Sequence, residues 1–550
     1  MLQFVPLFFT YPDTTIKKTI IIIVIIAAAL LAGAGYWYVD YLSNTRLPGL
    51  LGDRIAVKNV QIDVVGRQVR FEEPIFKMDS IKDQPNLTID AKAKFITIQG
   101  FSFVDLVLNK EIGVNTLDVD SGVIHVQLPK DELTMGGKKE INLFVRELFT
   151  SINLHEFNFH AAKISVAKHE AVDSLFVVND FQLSAQEIVI DTGTVSHVFP
   201  LDFSESEIHA GMFKMKAGEL YTFSGKELKV KDTAVTVSDI SFASKYEREE
   251  FVQKLDYQKA QIDLKVDEIT AENVVWSLNE GFSLHSTKTT IDKASLKIYK
   301  DKRPAQQPIE VKPMMQELIR NLPFNLTIDV AAVKDSYIEY EQYPVLFPRS
   351  GKVFFDKTYA SIYNLTNDSI KLTENAELIA DIQCQFMGEG DLKTTITLDL
   401  NSEVNQFSVT GQLQELPITY VNQVMTPLVG VTAEGALETM DFEFTGDNYD
   451  SKGSMTAEYS DLKITIYDDG RDKEWFKSMF GNLILRNNNH KDDTLGYKEG
   501  EIYFVRYQNK DFFNFLWNSV REGIMDIVIP FYKNGDLERD HSKPKYKLDD

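Results

Sequence analysis

Residues that could carry catalytic or metal chemistry are scattered along this chain of 550 residues. Its nine histidines include no His-Glu-x-x-His zinc motif. His155 and His160 do not have the spacing of two ligands on one helix, and His160 and His169 fall in a strand-like region. A Gly-x-Ser-x-Gly nucleophile motif does not occur either. We therefore interpret these three histidines as ordinary residues.

Three further patterns resemble chemical sites but lack a necessary part. The sequence MGGKKE (residues 135–140) has neither the first glycine nor the Ser or Thr of a phosphate-binding loop. Asp468, Asp469 and Asp472 do not have the spacing of a calcium loop, and a solvated turn explains them. The chain has one cysteine, Cys384, so neither an internal disulfide nor a cysteine zinc site can form. We predict a protein that is not an enzyme, with no catalytic residues, metal or cofactor.

Composition and charge exclude two further classes of protein. Hydrophobic residues make up 44% of the chain, which excludes a mostly disordered protein. The formal net charge is -23, and the chain has no dense basic stripe that could neutralise phosphates. We therefore predict that nucleic acid is not a partner.

One segment near the N-terminus has the length and composition of a membrane helix. Residues 19–39 carry no charge and are mostly apolar, and a helix needs about 20 such residues to cross the hydrocarbon core. Lys17 and Lys18 flank its near end, while Trp37 and Tyr38 stand at its far end, where aromatic residues favour the interface. We predict a transmembrane helix over residues 19–41.

A cleaved signal peptide is the alternative interpretation of this segment. Ala32, Gly33 and Ala34 fit the small-residue pattern of a cleavage site. Both interpretations predict that the body of the chain is exported to the far side of the membrane. We favour the anchor, with a cytoplasmic N-terminus.

The body of the chain alternates between apolar and polar residues, as β-strands with one wet face do. We expect a mainly β protein with a long antiparallel sheet and a few short amphipathic helices, since no strand–helix–strand rhythm is evident. About thirty short strands exceed what an open sheet holds, so the sheet must curl or split. A curled sheet could line a trough with its apolar face. Candidate lining residues on apolar strand faces are Phe95, Ile262, Leu264, Ile382, Phe386, Ile396 and Leu398. Packing in a filled core is the alternative role.

Weak internal repetition supports a body built from repeated strand units. Residues 141–166 resemble residues 311–340: each has an amphipathic helix with a Glu-Leu pair, followed by strands. Residues 300–313 carry charges and prolines, as interior linkers do.

An amphipathic helix is predicted close to the C-terminus. Its polar face would hold Asn514, Asn518, Arg521 and Glu522. A cap over the sheet end is one role for this helix, and contact with a membrane surface or a partner is the other. Its predicted apolar face has the spacing i, i+3, i+4, i+7, i+11 and consists of Phe513, Leu516, Trp517, Val520 and Ile524.

This arrangement resembles the AsmA-like family of bacterial envelope proteins, whose relatives include TamB. The likeness covers most of residues 16–530. Its most specific part is a closing segment with Gly435, a Gly-Ser-Met strand at 453–455, a Tyr-Ser-Asp-Leu-Lys strand at 459–463 and a final helix. The chain is shorter than the largest members of the family.

The resemblance implies a single-pass inner-membrane anchor and a periplasmic β-groove, in the cell envelope of a Gram-negative bacterium. It also implies movement of phospholipid between the inner and outer membranes, or support of outer-membrane biogenesis. Proteins of either membrane would be further partners. The alternative is a non-enzymatic scaffold or assembly factor that binds proteins through a filled β-solenoid or sandwich. The predicted regions are a cytoplasmic N-terminus (1–18), a transmembrane helix (19–41), two halves of the groove (42–300 and 301–467), a C-terminal cap (468–530) and a polar tail (531–550).

Overall fold

A computed structural model describes most of the chain beyond the predicted anchor. The described residues are 55–63, 65–78, 88–100, 111–128, 151–168, 173–191, 205–277, 282–306, 308, 310–345, 349–466, 485–492 and 496–529. Strands make up 65% of them and helices 12%, which confirms the mainly β prediction.

The predicted transmembrane helix lies outside the described residues, together with its flanks Lys17, Lys18, Trp37 and Tyr38. Of the helices that are described, none combines the length and apolar character needed to cross a membrane.

The chain divides into two compact units. The N-terminal unit comprises the described residues before Phe242 together with those of Glu272–Ser283, and the C-terminal unit comprises the remainder. Strands of the N-terminal unit are β1 (Ile55–Ala56), β2 (Asn59–Asp63), β3 (Gln68–Glu72), β4 (Ile75–Met78), β5 (Thr88–Lys92), β6 (Phe95–Gln99), β7 (Glu111–Leu128), β8 (Ser151–Lys168), β9 (Ser174–Asp191), β10 (Glu205–Ala210), β11 (Phe213–Ala217), β12 (Tyr221–Gly225), β13 (Glu227–Lys231), most of β14 (Ala234–Ser244) and β16 (Val275–Ser277).

Three long strands organise the N-terminal unit. The first half of β7 pairs with β6 and the second half with β5. A bulge separates the two halves, where Ser121 has a positive φ of 55°. Strand β9 is divided in the same way at Asp180, and pairs with β10 on one side of it and with β11 on the other. The inward residues of these strands form one apolar core, which includes Ile89, Leu117 and Val126.

The pairing of β7 with β8 corrects the expectation of a purely antiparallel sheet. These two strands run parallel over most of their length. A parallel pair requires a crossover connection, and here residues 129–150 join the two strands. Strand β8 then pairs with β9 in the antiparallel sense. The sheet is therefore mixed.

The described part of the C-terminal unit holds ten strands and five α-helices. Its strands are most of β15 (Ala260–Glu272) and of β17 (Ser283–Asp301), then β18 (Asn325–Tyr343), β19 (Gly351–Thr366), β20 (Glu377–Phe386), β21 (Gly390–Asp399), β22 (Phe407–Pro417), β23 (Val431–Gly446), β24 (Asp450–Ile466) and β25 (Gly500–Val505). Its helices are α1 (Arg248–Gln253), α2 (Met315–Arg320), α3 (Ser369–Glu374), α4 (Asn422–Val429) and α5 (Phe512–Val528), and a 3-10 turn covers Ile418–Val421.

Strands β18 to β25 form a meander in which each strand pairs antiparallel with the next. Helix α2 contains the Glu317-Leu318 pair, so the helix predicted within residues 311–340 is confirmed; its counterpart within 141–166 lies outside the described residues. Helix α4 ends because Gly430 adopts the left-handed conformation, with φ at 74°.

A row of bulges crosses neighbouring strands of this unit. Lys293 in β17, Asp335 in β18 and Lys357 in β19 all have a positive φ, between 43° and 50°. The Ala294 amide on β17 donates to Oγ of Ser336 on β18 at 2.9 Å, which places the first two bulges side by side. Because each bulge bends its strand and increases the local twist, aligned bulges curl a sheet.

Candidate functional site

Four of the predicted lining residues share one face of the β20–β21 hairpin. Leu398 is paired with Leu378, and Ile396 with Ala380, so their side chains point to the same side. Phe386 and Leu398 are buried, whereas Ile382 and Ile396 are half-buried and pack against the apolar core of the unit. The alternation in the sequence thus identified the apolar face of these strands correctly.

Two other predicted residues lie on β15. Ile262 is buried, and Leu264, two residues further along the same face, is half-buried. Val266, the next residue on this face, is buried again, so the face of β15 is mostly covered.

Phe95 does not lie on the face that the alternation predicted. Alternation alone predicts one continuous strand from Ile89 to Phe95 with both residues on the same face, but β5 ends at Lys92 and β6 begins at Phe95. The break reverses the phase, so Ile96 is buried and Phe95 is half-buried on the opposite face. There the guanidinium carbon of Arg70 lies 3.7 Å from the centre of the Phe95 ring, as in a cation–π contact.

Burial in β17 and β18 differs from that of an ordinary sheet. No large apolar side chain of either strand is buried. Their buried positions, together with those of β19, are mostly polar: Ser286, Asp301, Thr327, Ser336, Glu339, Thr358 and Thr366. The apolar residues of β17 and β18, such as Ile298 and Ile338, keep part of their surface in water. This part of the sheet therefore carries apolar side chains that stay partly exposed.

The half-buried residues of β18 continue the apolar face of the hairpin. Ile338 pairs with Phe355 of β19, and Phe355 pairs in turn with Phe386 of β20. The rings of Phe355 and Phe386 lie 5.6 Å apart. Tyr340 pairs with Val353 on the same side. One apolar face thus extends from the covered strands β20 and β21 to the partly open strand β18.

Helix α5 covers the other end of this face. Its Phe512 and Phe515 rings stand edge-on to Phe407 of β22, with centroids 5.1 and 5.5 Å away. The backbone of the helix also approaches the sheet closely. A Cβ on Gly523 would lie 2.9 Å from Ile502 and 3.0 Å from Met455, which explains a glycine at this position. This end of the unit is a filled core.

The buried side of α5 does not coincide with its predicted apolar face. The buried side of the helix holds Phe512, Phe515, Asn518, Ser519, Glu522, Gly523 and Ile527. Of the predicted apolar face, Phe513 is 48% exposed and Trp517 is 52% exposed, while Leu516, Val520 and Ile524 are half-buried against the apolar core.

The small residues of the helix explain this orientation. The hydroxyls of Ser519 on the helix and Ser451 on β24 lie 2.7 Å apart, so this contact satisfies two buried polar groups. Asn518 donates to the carbonyl oxygen of Asn514 at 2.7 Å. Ser and Gly permit the close approach, and the bulkier aromatic stripe is left outside.

Titratable groups near the apolar face do not form a reactive site. Burial raises the pKa of the Cys384 thiol to about 12, which keeps it protonated and unreactive. In the part of the chain that the structure describes, no three His, Cys, Asp or Glu side chains gather to hold a metal ion. What this face can do is bind apolar groups by van der Waals contact.

A shallow open cavity of about 530 Å³ lies across β21 to β24. Its lining includes Lys393, Gln412, Asp441 and Glu443. This shallow depression mixes charged side chains with Phe442 and Met455 and does not enclose a ligand, so the open part of the apolar face remains the candidate site.

Comparison with known proteins does not assign the chain to a family. No protein-family model matches it, and no curated protein sequence matches it.

Proposed function

We propose that this protein is a membrane-anchored β-groove that carries phospholipid between the inner and outer membranes of a bacterial envelope, or otherwise supports outer-membrane biogenesis. The observation that carries the proposal is the apolar side chains of β17 and β18, none of the large ones fully buried, which keep part of their surface exposed. Extended apolar surfaces of this kind mark contact sites for apolar partners.

The curvature of the sheet supports a trough rather than a flat surface. The aligned bulges at Lys293, Asp335 and Lys357 bend β17, β18 and β19 at the same level. Acyl chains would lie along Ile298, Ile338 and their neighbours, while the polar head groups stay at the wet opening. Transport along such a surface is passive and does not require a catalytic residue.

The location is part of the proposal. The apolar segment at residues 19–41 would hold the protein in the inner membrane as a single-pass anchor, with the bulk of the chain in the periplasm. The resemblance of the closing segment to AsmA-like proteins supports the same location. The direction of phospholipid transport would have to come from a lipid gradient or from partner proteins in either membrane.

Native mass spectrometry of the full-length protein, released from a mild detergent, tests this function. We expect bound phospholipid on the wild-type protein. Ile338→Asn and Ile396→Asn place an amide on the apolar face and should lower the lipid occupancy. Tyr359→Asn is the matched control, because Tyr359 is 45% exposed and belongs to the opposite face of β19. Absence of lipid from the wild-type protein, or equal occupancy in all variants, would contradict the proposal.

A protein-binding scaffold is the second candidate function. The filled apolar core of the N-terminal unit favours it, since Ile89, Leu117 and Val126 leave at most 1% of their surface exposed. A scaffold would show no bound lipid in the same experiment and would instead retain a stoichiometric protein partner.

A further inference from the structure

The side of β17 to β19 that lies opposite to the apolar face carries buried charges. On β18, Ile338 pairs with Phe355 of the apolar face, whereas the next residue, Glu339, pairs with Phe354 and points the other way. Glu341 follows two residues later and shares the side of Glu339. We call this side of β17 to β19 the back face. Three of its carboxylates are nearly buried, and each is held by a cation that lies over an aromatic ring.

The first of these carboxylates belongs to Asp301, at the end of β17, and is part of a residue that is only 2% exposed. Nε of Arg303 donates to both of its oxygens at 3.0 Å, and the Arg303 amide donates to Oδ1 at 2.9 Å. The guanidinium carbon of Arg303 lies 4.4 Å from the centre of the Tyr343 ring on β18, within the range of a cation–π contact. Side chains therefore tie the end of β17 to β18, in addition to the backbone bond from the Lys302 amide to the Tyr343 carbonyl oxygen.

The second carboxylate, that of Glu341 on β18, connects three elements. Its side chain is 13% exposed, and Arg248 of α1 donates to both of its oxygens, with Nη1 at 3.1 Å and Nη2 at 2.8 Å. Such a bidentate pair fixes direction as well as distance. The guanidinium carbon of Arg248 lies 4.4 Å from the centre of the Tyr299 ring on β17. Tyr299 and Asp301 are two residues apart on that strand, so both belong to the back face.

The third carboxylate, that of Glu339, joins β18 to β19. The residue is 7% exposed, and its side chain accepts from the Tyr337 hydroxyl at 2.7 Å and from Nζ of Lys352 at 3.1 Å. Nζ of Lys352 lies 5.4 Å from the centre of the Phe354 ring, and the rings of Phe354 and Tyr337 are 5.8 Å apart. The same combination of carboxylate, cation and ring thus recurs on neighbouring strands.

These three groups supply directional contacts in a place where an apolar core is incomplete. The large apolar side chains of β17 and β18 keep part of their surface exposed, so close packing on the apolar face does not hold these strands as a filled core would. Bidentate pairs and stacked guanidinium groups fix geometry, and a buried carboxylate that loses its cation destabilises the fold. The back face therefore resists the movement of one strand against the next. An apolar back face would instead expose a second apolar surface to water.

We propose that these three carboxylate–cation–ring groups position β17, β18 and β19 from behind, so that the apolar face in front can stay partly open and exchange a ligand while the strands remain together. Arg248, Arg303 and Lys352 are then positioning residues, which do not touch the ligand. The identity of the ligand as phospholipid rests on the proposed function, whereas the positioning of the strands does not.

Hydrogen exchange and native mass spectrometry of the full-length protein in a mild detergent test this role on the same samples. Arg248→Lys/Arg303→Lys keeps both charges but removes the bidentate pairs and the planar stacking, because an ammonium group is a compact point charge. Arg349→Lys is the matched control, since Arg349 is exposed and lies just before β19. We expect the amides of β17 and β18 to exchange about tenfold faster in the double variant, while those of β21 and β22 keep their wild-type rates. The double variant should also lose most of its bound phospholipid, and the control none.

Failure of this proposal and failure of the lipid function give different results. If the amides of β17 and β18 keep their wild-type rates in the double variant, the positioning role is overturned, whether or not lipid is bound. If they exchange faster but even the wild-type protein carries no phospholipid, the positioning of the strands is supported and the lipid function is overturned.

A third result separates strand positioning from ligand binding. If exchange is faster in β17 and β18 while the lipid occupancy stays at the wild-type level, these contacts do not serve the open face, and the proposal is overturned. Faster exchange in β21 and β22 as well would show that the double variant unfolds as a whole, and Arg248→Lys alone then provides the same comparison.

Discussion

The orientation of α5 gives a sharp test of how the C-terminal unit is closed. Phe515 is 1% exposed, and its ring lies 5.5 Å from Phe407 and 6.1 Å from Phe504. Truncation of a phenylalanine in such a place costs about 3–5 kcal/mol, because transfer energy is lost and a cavity remains. Trp517 sits on the same helix but is 52% exposed, so its truncation should cost less than about 0.5 kcal/mol.

Hydrogen exchange measured by mass spectrometry can compare Phe515→Ala with Trp517→Ala peptide by peptide. A loss of about 3 kcal/mol corresponds to roughly a hundredfold faster exchange, if the amides of α5 exchange by opening of this region. We expect this acceleration in peptides of α5 and β25 of Phe515→Ala, and almost none in Trp517→Ala. A larger effect of Trp517→Ala would show that the aromatic stripe predicted from the sequence faces the sheet, and would refute the packing described above.

Three further predictions concern single residues. Gly453→Ala should lower the stability by about 1–3 kcal/mol, because its Cβ would lie 2.0 Å from the carbonyl oxygen of Glu443; Gly113→Ala, which has open space, is the control in thermal unfolding. The free energy of unfolding should rise as the pH increases from about 8 to 10.5. In the folded protein the pKa of Lys302 is about 8, below its ordinary 10.5, so the unfolded chain binds more protons in that range. Urea unfolding of Lys302→Met should show a smaller rise with pH. Cys384 should resist a maleimide reagent at pH 8 until the protein unfolds, because burial raises its pKa to about 12; rapid labelling of the folded protein would contradict its burial.

Strand alternation was sufficient to predict β20 and β21. Leu398 and Phe386 are buried where the period of two places them, because each strand runs unbroken between clear turns. The same reasoning failed at Phe95, since the change of phase between β5 and β6 has no strong turn residue to reveal it. An alternating pattern therefore predicts a face only as far as the strand continues.

The sequence pattern predicts that α5 is a helix, but it does not predict which side of the helix is buried. The sequence contains two overlapping apolar stripes, and the bulkier one, with Phe513 and Trp517, looks the more hydrophobic. The structure buries the stripe that contains Ser519 and Gly523, because small residues let the backbone approach the sheet. Hydrophobicity alone therefore does not predict that the side with small residues packs on the sheet.

Long-range features were beyond prediction from one sequence. The parallel pairing of β7 with β8 depends on a crossover of residues 129–150, which alternation does not report. The bulges at Lys293 and Lys357 occur at residues with no special turn propensity.

Site-specific photocrosslinking in growing bacteria tests the central claim most directly. Benzoylphenylalanine would replace Phe355, on the apolar face, or Tyr363, which is 42% exposed and belongs to the opposite face of the same strand. If the apolar face carries lipid, ultraviolet light should attach phospholipid at position 355 and leave position 363 unlabelled. Absence of lipid at position 355, or equal labelling at both positions, would contradict a lipid-carrying groove.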